Sequence, residues 1–431
     1  MNDRIQKLRQ QSLCTQPSIS IERAKLLTEF YKSGSAERVS IPVARALAFK
    51  YLLENKTICL NNDELIAGER GPAPSATPTY PEICTHSVMD FEILNSREKI
   101  SFKVDKETKR IQQEEIIPFW KGRSLRDRIF EEADKEWIDC YEAGIFTEFM
   151  EQRAPGHTVL DNKIYKKGFN DFINDIDESI SSLDFYNDPS ALDKREELKA
   201  MRITAQALIN FSNRFSRYLT ELAEKEKNNE RKSELFTMAG ICQRVPANAP
   251  QTFREALQYY WFVHIGVITE LNTWDSFNPG RLDQHLYPFY KKDIEEGILN
   301  KEKAKELLES FWVKFNNQPA PPKVGVTAQE SNTYTDFCLI NLGGLTEEGN
   351  DAVNELTYLI LDVIEEMRIL QPSSMVQVSK KNPDQYLRRA LQIIKTGFGQ
   401  PSVFNTDAII QELLRQGKSV TDARNGGASG C

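Results

Sequence analysis

Apolar residues recur at helical spacing from Ile21 to Lys32 and again from Ile41 to Glu54, which predicts two amphipathic helices. Residues 62–87 break that pattern. Gly68, Gly71, Pro72, Pro74, Pro78 and Pro81 punctuate them, so an ordered, extended loop is expected there. Helical spacing resumes over residues 124–146 and stops at Arg153-Ala-Pro-Gly-His157, where Pro155 and Gly156 present His157 on a loop. Residues 190–243 predict long charged helices whose Lys- and Glu-rich face is solvated. Thr252 to Glu270 is apolar on nearly every side and predicts a buried helix. Asn278-Pro-Gly-Arg281 follows, then an amphipathic helix with Tyr287 and Tyr290. Lys301 to Phe315 is a further helix with Leu307, Leu308 and Phe311 on one side.

The period then alternates. Thr335 to Gly344 reads as a buried strand ending in a glycine turn, Leu356 to Met367 as a helix, and Gln371 to Val378 as a strand. Leu387 to Thr396 is helical, Pro401 to Asn405 extended and Asp407 to Gln416 helical, before Gly426-Gly-Ala-Ser-Gly-Cys431. Strands alternating with helices predict an α/β fold behind a largely α-helical N-terminal region. With neither an internal repeat nor a linker, residues 1–431 are expected to form one continuous domain.

Composition narrows the class. Apolar residues make up 40% of the chain, enough for a large core, and 55 basic against 63 acidic residues give a net charge of −8. That mild acidity gives no sign of nucleic-acid binding. The seven cysteines (Cys14, Cys59, Cys84, Cys140, Cys242, Cys338 and Cys431) are scattered and never spaced as CxxC, which argues against a disulfide framework or a structural zinc site. The N-terminus is polar, and no run approaches the roughly 18 apolar residues of a membrane helix. A soluble, cytoplasmic protein with reduced thiols is expected, with no membrane partner.

Few residues offer chemistry. P-loop, HExxH, GxSxG and GxGxxG patterns are absent, and four histidines (His86, His157, His264 and His285) make a metal cluster improbable. Glu255 and His264 sit on an apolar helix, where packing is the better reading, and His285 reads as structural. His157 is displayed by its loop. Asp275, between aromatic residues, suits an ammonium or hydroxyl group, or else caps a turn. Gly426, Gly427 and Gly430 allow a tight turn that holds the Cys431 thiol at a point, as a nucleophile, a ligand or a radical carrier. A plain free cysteine is the alternative.

Four segments, in order, resemble the glycyl radical enzymes. They are Cys242-Gln-Arg-Val-Pro-Ala-Asn-Ala-Pro-Gln-Thr-Phe-Arg-Glu-Ala-Leu-Gln258, Pro279-Gly-Arg-Leu-Asp-Gln-His-Leu-Tyr-Pro-Phe-Tyr290, Gly397-Phe-Gly-Gln-Pro-Ser-Val-Phe-Asn405 and Asp422-Ala-Arg-Asn-Gly-Gly-Ala-Ser-Gly-Cys431. Gly430 before Cys431 departs from the paired cysteines of the formate-lyases, which disfavours acyl transfer to coenzyme A. Gly68-Glu-Arg-Gly-Pro-Ala-Pro74, Pro78-Thr-Tyr-Pro-Glu82, Arg153-Ala-Pro-Gly-His-Thr158 and Ser331-Asn-Thr-Tyr-Thr-Asp-Phe337 look most like the branch that dehydrates hydroxyproline.

The resemblance implies a ten-stranded α/β barrel of two five-stranded halves surrounded by helices, of which residues 1–431 would be the first part of a pyruvate formate-lyase-like domain. It implies that Cys431 becomes a thiyl radical and takes a hydrogen atom from the carbon beside the ring nitrogen. His157 would hydrogen-bond the leaving hydroxyl and Asp275 would hold the ammonium or hydroxyl. Ser331 would fix the carboxylate, and Phe149 and Phe337 would pack on the ring. The product would be a pyrroline-5-carboxylate. The storing glycine, and a glutamate two places after the cysteine, would lie outside residues 1–431. The isolated stretch is therefore expected to be inactive, with strand edges exposed. Implied partners are a radical S-adenosylmethionine activating enzyme with an iron–sulfur cluster and a second copy of the chain, in an anaerobic cell; no metal is implied in the chain itself. The alternatives are a glycyl radical lyase acting on a diol, choline or a sulfonate, and a non-catalytic or split subunit.

Overall fold

The computed structural model describes residues 1–145, 160–271, 277–325 and 338–428. Its centre is the helix Phe253–Glu270, begun by Thr252, whose side chain accepts from the Glu255 N–H at 3.2 Å. From Ala256 to Ile265 every residue is buried, as a helix apolar on all faces requires. The helix Ala191–Lys225 packs beside it and against the helices Ile41–Asn55, Phe169–Ser181 and Asn229–Arg244. Leu208, Phe211, Phe215, Leu219 and Ala223, three or four residues apart, form its buried stripe, and its Lys and Glu residues face outward. No helix among the described residues is long and apolar enough to cross a membrane.

The expected strands form one parallel sheet. β3 (Leu339–Gly343) pairs with β4 (Ser373–Val378), and β4 with β5 (Ser402–Asn405). It is called β3 because a short pair precedes it: β1 (Ser18–Ser20) lies parallel to β2 (Ala76–Pro78). Gly280 adds a parallel bridge to Ile340 on the far side of β3. The helices Glu355–Met367 and Asp384–Ile394 make the crossovers that parallel pairing demands. The two faces of the sheet differ. Ile340, Leu342 and Val376 belong to the main hydrophobic core. The register puts Leu339, Asn341 and Gly343 on the opposite face with Ser373, Met375 and Gln377. The α/β reading with a helical first half holds.

Some boundaries differ from expectation. Residues 124–146 form two helices, Leu125–Glu132 and Lys135–Glu142, because Ala133 turns extended and Asp134 starts a new cap on the Trp137 N–H. Unanticipated helices occur at Asp3–Cys14, Val88–Ser96 and Phe169–Ser181. The first buries only Ile5, Leu8 and Ser12, a stripe too thin to register as periodicity. The second opens on a capping box, with the Ser87 and Asp90 side chains and backbones paired reciprocally.

Candidate active site

Phe149, His157, Asp275, Ser331, Phe337 and Cys431 all lie outside the described residues. The structure instead describes where the segments that carry them depart and return, and those points share two anchorages.

The first is Asn278–His285. Asn278 Oδ1 accepts from the Leu339 N–H at 2.7 Å, which ties the residues after 272–276 to those after 326–337. Asn341 N–H donates to Gly280 O at 3.0 Å and continues the ladder. His285 Nε2 lies 3.3 Å from Asp161 Oδ1, just past residues 146–159, and that contact holds the Asp161 carboxyl below its ordinary range. Arg281 Nη1 donates to Arg424 O at 2.9 Å and to Asn425 Oδ1 at 3.1 Å, the approach to Cys431. His285 is thus structural, as expected, but it braces a segment that bears a candidate residue.

The second anchorage gathers the opposite ends. Gly325 N–H donates to Asp90 Oδ1 at 2.9 Å, and Arg126 Nη2 donates to Tyr141 OH at 2.8 Å beside Gly325. Tyr141, shortly before residues 146–159, and Gly325, just before residues 326–337, therefore lie together. Leu160, Leu271 and Phe277 also line a single cavity of about 910 Å³, walled by Phe169, Leu208 and Val263.

Beneath these points lies a buried polar frame. Residues 62–87 are the ordered loop expected, and they are fixed to two helices. Trp261 Nε1 donates to Gly68 O at 2.8 Å, and Gly68, at φ +120°, has the Trp261 ring where a side chain would stand. Lys56 Nζ donates to Glu69 O and Arg70 O at 2.7 and 2.8 Å, and burial pulls that ammonium down to about 8. Lys314 pairs with Glu64 at 3.1 Å and with Glu69, all fully buried. Its two carboxylates keep it charged despite burial, and burial pushes Glu69 upward. Arg23 donates to Thr269 O at 2.7 Å and pairs with Glu82, which caps the helix end from which residues 272–276 depart.

Two further groups adjoin the sheet. His264 is a core histidine, as expected. It stacks on Trp261, and burial drives it down to about 3, so it is neutral at physiological pH. It does not pair with Glu255, which lies 3.4 Å from Arg244; its Nε2 lies 3.8 Å from Cys338 Sγ. Asp283, fully buried, accepts from the Gly343 N–H at 2.8 Å and the Thr357 hydroxyl at 2.7 Å. Burial pushes it up to about 6.

Residues 426–428 dock on the polar face of the sheet, against Asn341 and Gln377. Sequence reasoning passed over both side chains. The signal was available: each is a lone carboxamide within an apolar strand, Leu-Ile-Asn-Leu and Met-Val-Gln-Val. Among the described residues, no group of three His, Cys, Asp or Glu side chains could hold a metal ion.

The chain is 54% identical over 429 residues to trans-4-hydroxy-L-proline dehydratase of Clostridioides difficile, covering 100% of this chain and 54% of that one. It is 32% identical over 428 residues to isethionate sulfite-lyase of Nitratidesulfovibrio vulgaris, covering 97% and 51%. The crystal structure of the Clostridioides difficile hydroxyproline dehydratase with trans-4-hydroxy-L-proline bound superposes with a TM-score of 0.96 at 53% identity, over 100% of this chain and 55% of that one. The chain thus spans about half the length of the curated relatives it matches. The pyruvate formate lyase-like family matches residues 1–431 throughout, and the chain belongs to that family.

Proposed function

We propose that the protein is a glycyl radical dehydratase that removes water from trans-4-hydroxy-L-proline to give a pyrroline-5-carboxylate, with residues 1–431 as the N-terminal portion of its pyruvate formate-lyase-like domain. The carrying observation is the shared anchorage at Asn278–His285, which gathers the ends of the segments bearing all six candidate residues. The relative at 54% identity acts on hydroxyproline, whereas isethionate sulfite-lyase stands at 32%, which supports the substrate choice.

A glycyl radical supplied from outside residues 1–431 provides the oxidising equivalent that turns the Cys431 thiol into a thiyl. The thiyl takes a hydrogen atom from the ring carbon beside nitrogen, forming S–H and leaving a carbon radical. The neighbouring hydroxyl, assisted by a hydrogen bond from His157, leaves as water, its added proton balanced by the one that the ring nitrogen gives up as the C=N bond forms. The S–H then returns its hydrogen atom to the product radical. Asp275 and Ser331 hold the amino acid's charged ends, and Phe149 and Phe337 cover the ring, so that water is kept from the radicals. A radical S-adenosylmethionine activating enzyme carrying an iron–sulfur cluster, a homodimer and an anaerobic cytoplasm complete the proposal.

The test is substrate competition. The radical-loaded protein is given hydroxyproline, isethionate and 1,2-propanediol together, at equal concentration. Dehydration of hydroxyproline is expected to exceed the others by about 10⁴-fold, because a site built for polar groups rejects ligands that leave those groups unpaired. Faster sulfite or aldehyde release would replace the reading with one of the alternatives.

A further inference from the structure

The approach to Cys431 is held by side chains of the sheet. Asn341 Nδ2 donates to Ala428 O at 3.1 Å, and the Ala428 N–H donates to Asn341 Oδ1, also at 3.1 Å. One carboxamide thus satisfies both backbone polar groups of Ala428, as a neighbouring strand would. Gln377 Nε2 donates to Gly426 O at 3.0 Å and to Asn341 Oδ1 at 3.3 Å, which couples the two carboxamides. Both side chains are buried, at 4% and 1% exposure. Between the clamped residues stands Gly427, where a Cβ would collide with Asn341 Oδ1 and come within 2.9 Å of Gln377 Nε2. Only a glycine permits so close an approach.

Leucine or valine at positions 341 and 377 would serve the sheet without burying amides, which cost free energy unless paired. Here both amide nitrogens and the Asn341 oxygen are paired with the turn. Asn341 and Gln377 lie on neighbouring strands, on the face opposite the main core. A third contact, from Arg281 to Arg424 O, fixes the chain just before the turn.

We propose that Asn341 and Gln377 are positioning residues for Cys431: they act as a surrogate strand that sets the register of residues 426–428 and so the place of the thiol. Cys431 is the third residue after Ala428, a reach of at most about 10 Å, so a slip at the clamp moves the thiol by a comparable amount. The inference rests on the reading of Cys431 as the hydrogen-atom carrier. Hydrogen-atom transfer needs near-contact, and a misplacement of about 1 Å costs about 10²-fold in rate.

The test uses the full-length, radical-loaded protein and its Asn341→Ala, Gln377→Ala and Gly427→Ala variants. Gly427→Ala attacks the same contact from the exposed turn and leaves the sheet unaltered, which covers the case in which a strand variant fails to fold. Each variant is expected to lose about 10²-fold in kcat with KM close to the parent value and an unchanged glycyl radical signal in electron paramagnetic resonance. The Ala428 amide, protected in the parent, is expected to exchange with deuterium about tenfold faster or more in Asn341→Ala. Unchanged exchange overturns the clamp whatever the substrate. Faster exchange with unchanged kcat overturns its positioning role. Should the parent itself leave hydroxyproline untouched, the functional reading fails separately, and alkylation of Cys431 in the unactivated protein decides the clamp: faster labelling in Asn341→Ala supports it, and equal labelling overturns it.

Discussion

Gly343 ends β3 at φ +67°, and a Cβ there would strike the Tyr386 hydroxyl, which donates to Leu342 O at 2.9 Å. Gly343→Ala is therefore expected to lose about 2–4 kcal/mol of stability in denaturant titration, from strain at positive φ and from overpacking. Asp283, which accepts from the same residue, makes a pH prediction. Its pKa is raised to about 6, above the ordinary value near 3.9, so the folded protein holds its proton more tightly than the unfolded chain. Stability from this group is fully present below about pH 4 and is lost as pH rises to about 6. Asp283→Asn removes that dependence. The variant-minus-parent stability should climb by about 2 kcal/mol between pH 4 and 6, and a flat difference would refute the assignment. Measuring the difference matters because His264, pushed the other way, destabilises the parent as pH falls below about 6.5. At this scale the sequence was only partly legible. His157 and Cys431 were singled out by their neighbours in sequence and lie outside the described residues, whereas Asn341, Gln377 and Asp283 matter because of partners remote in sequence.

Elements were more legible. The helix Phe253–Glu270 could be read because burial on all sides leaves a largely apolar run, and the strands β3, β4 and β5 because short extended segments alternate with amphipathic helices. The helix Asp3–Cys14 could not, because it rests on Ile5 and Leu8. The loop 62–87 was recognisable by its glycines and prolines, but not the buried ions that fasten it, since no local pattern links Glu64 and Glu69 to Lys314. Lys314→Met leaves two carboxylates buried without a cationic partner and is expected to cost about 3–5 kcal/mol. Replacing all three residues together with apolar side chains should recover most of that loss, as judged by thermal unfolding. If the triple variant is no more stable than Lys314→Met, the network does more than neutralise its own charges.

For the whole molecule, the helical shell and the parallel sheet serve one end: Asp161, Asn278 and Leu339, which follow the segments bearing Phe149, His157, Asp275, Ser331 and Phe337, are tied to Asn278–His285, and the approach to Cys431 docks on the same sheet. The family resemblance implied the barrel and the site residues, while the anchoring contacts emerge only in three dimensions. His157→Ala is expected to lower hydroxyproline turnover by about 10²–10⁴-fold, the usual worth of a positioned proton donor, and near-normal turnover would return His157 to a structural role. The most direct test of the account is Cys431→Ser in the full-length, radical-loaded protein, followed by hydroxyproline turnover and the glycyl radical signal together. The account predicts a normal radical signal with no dehydration above background. Dehydration that persists in this variant would contradict it, because the hydrogen atom would then be moving without the thiol.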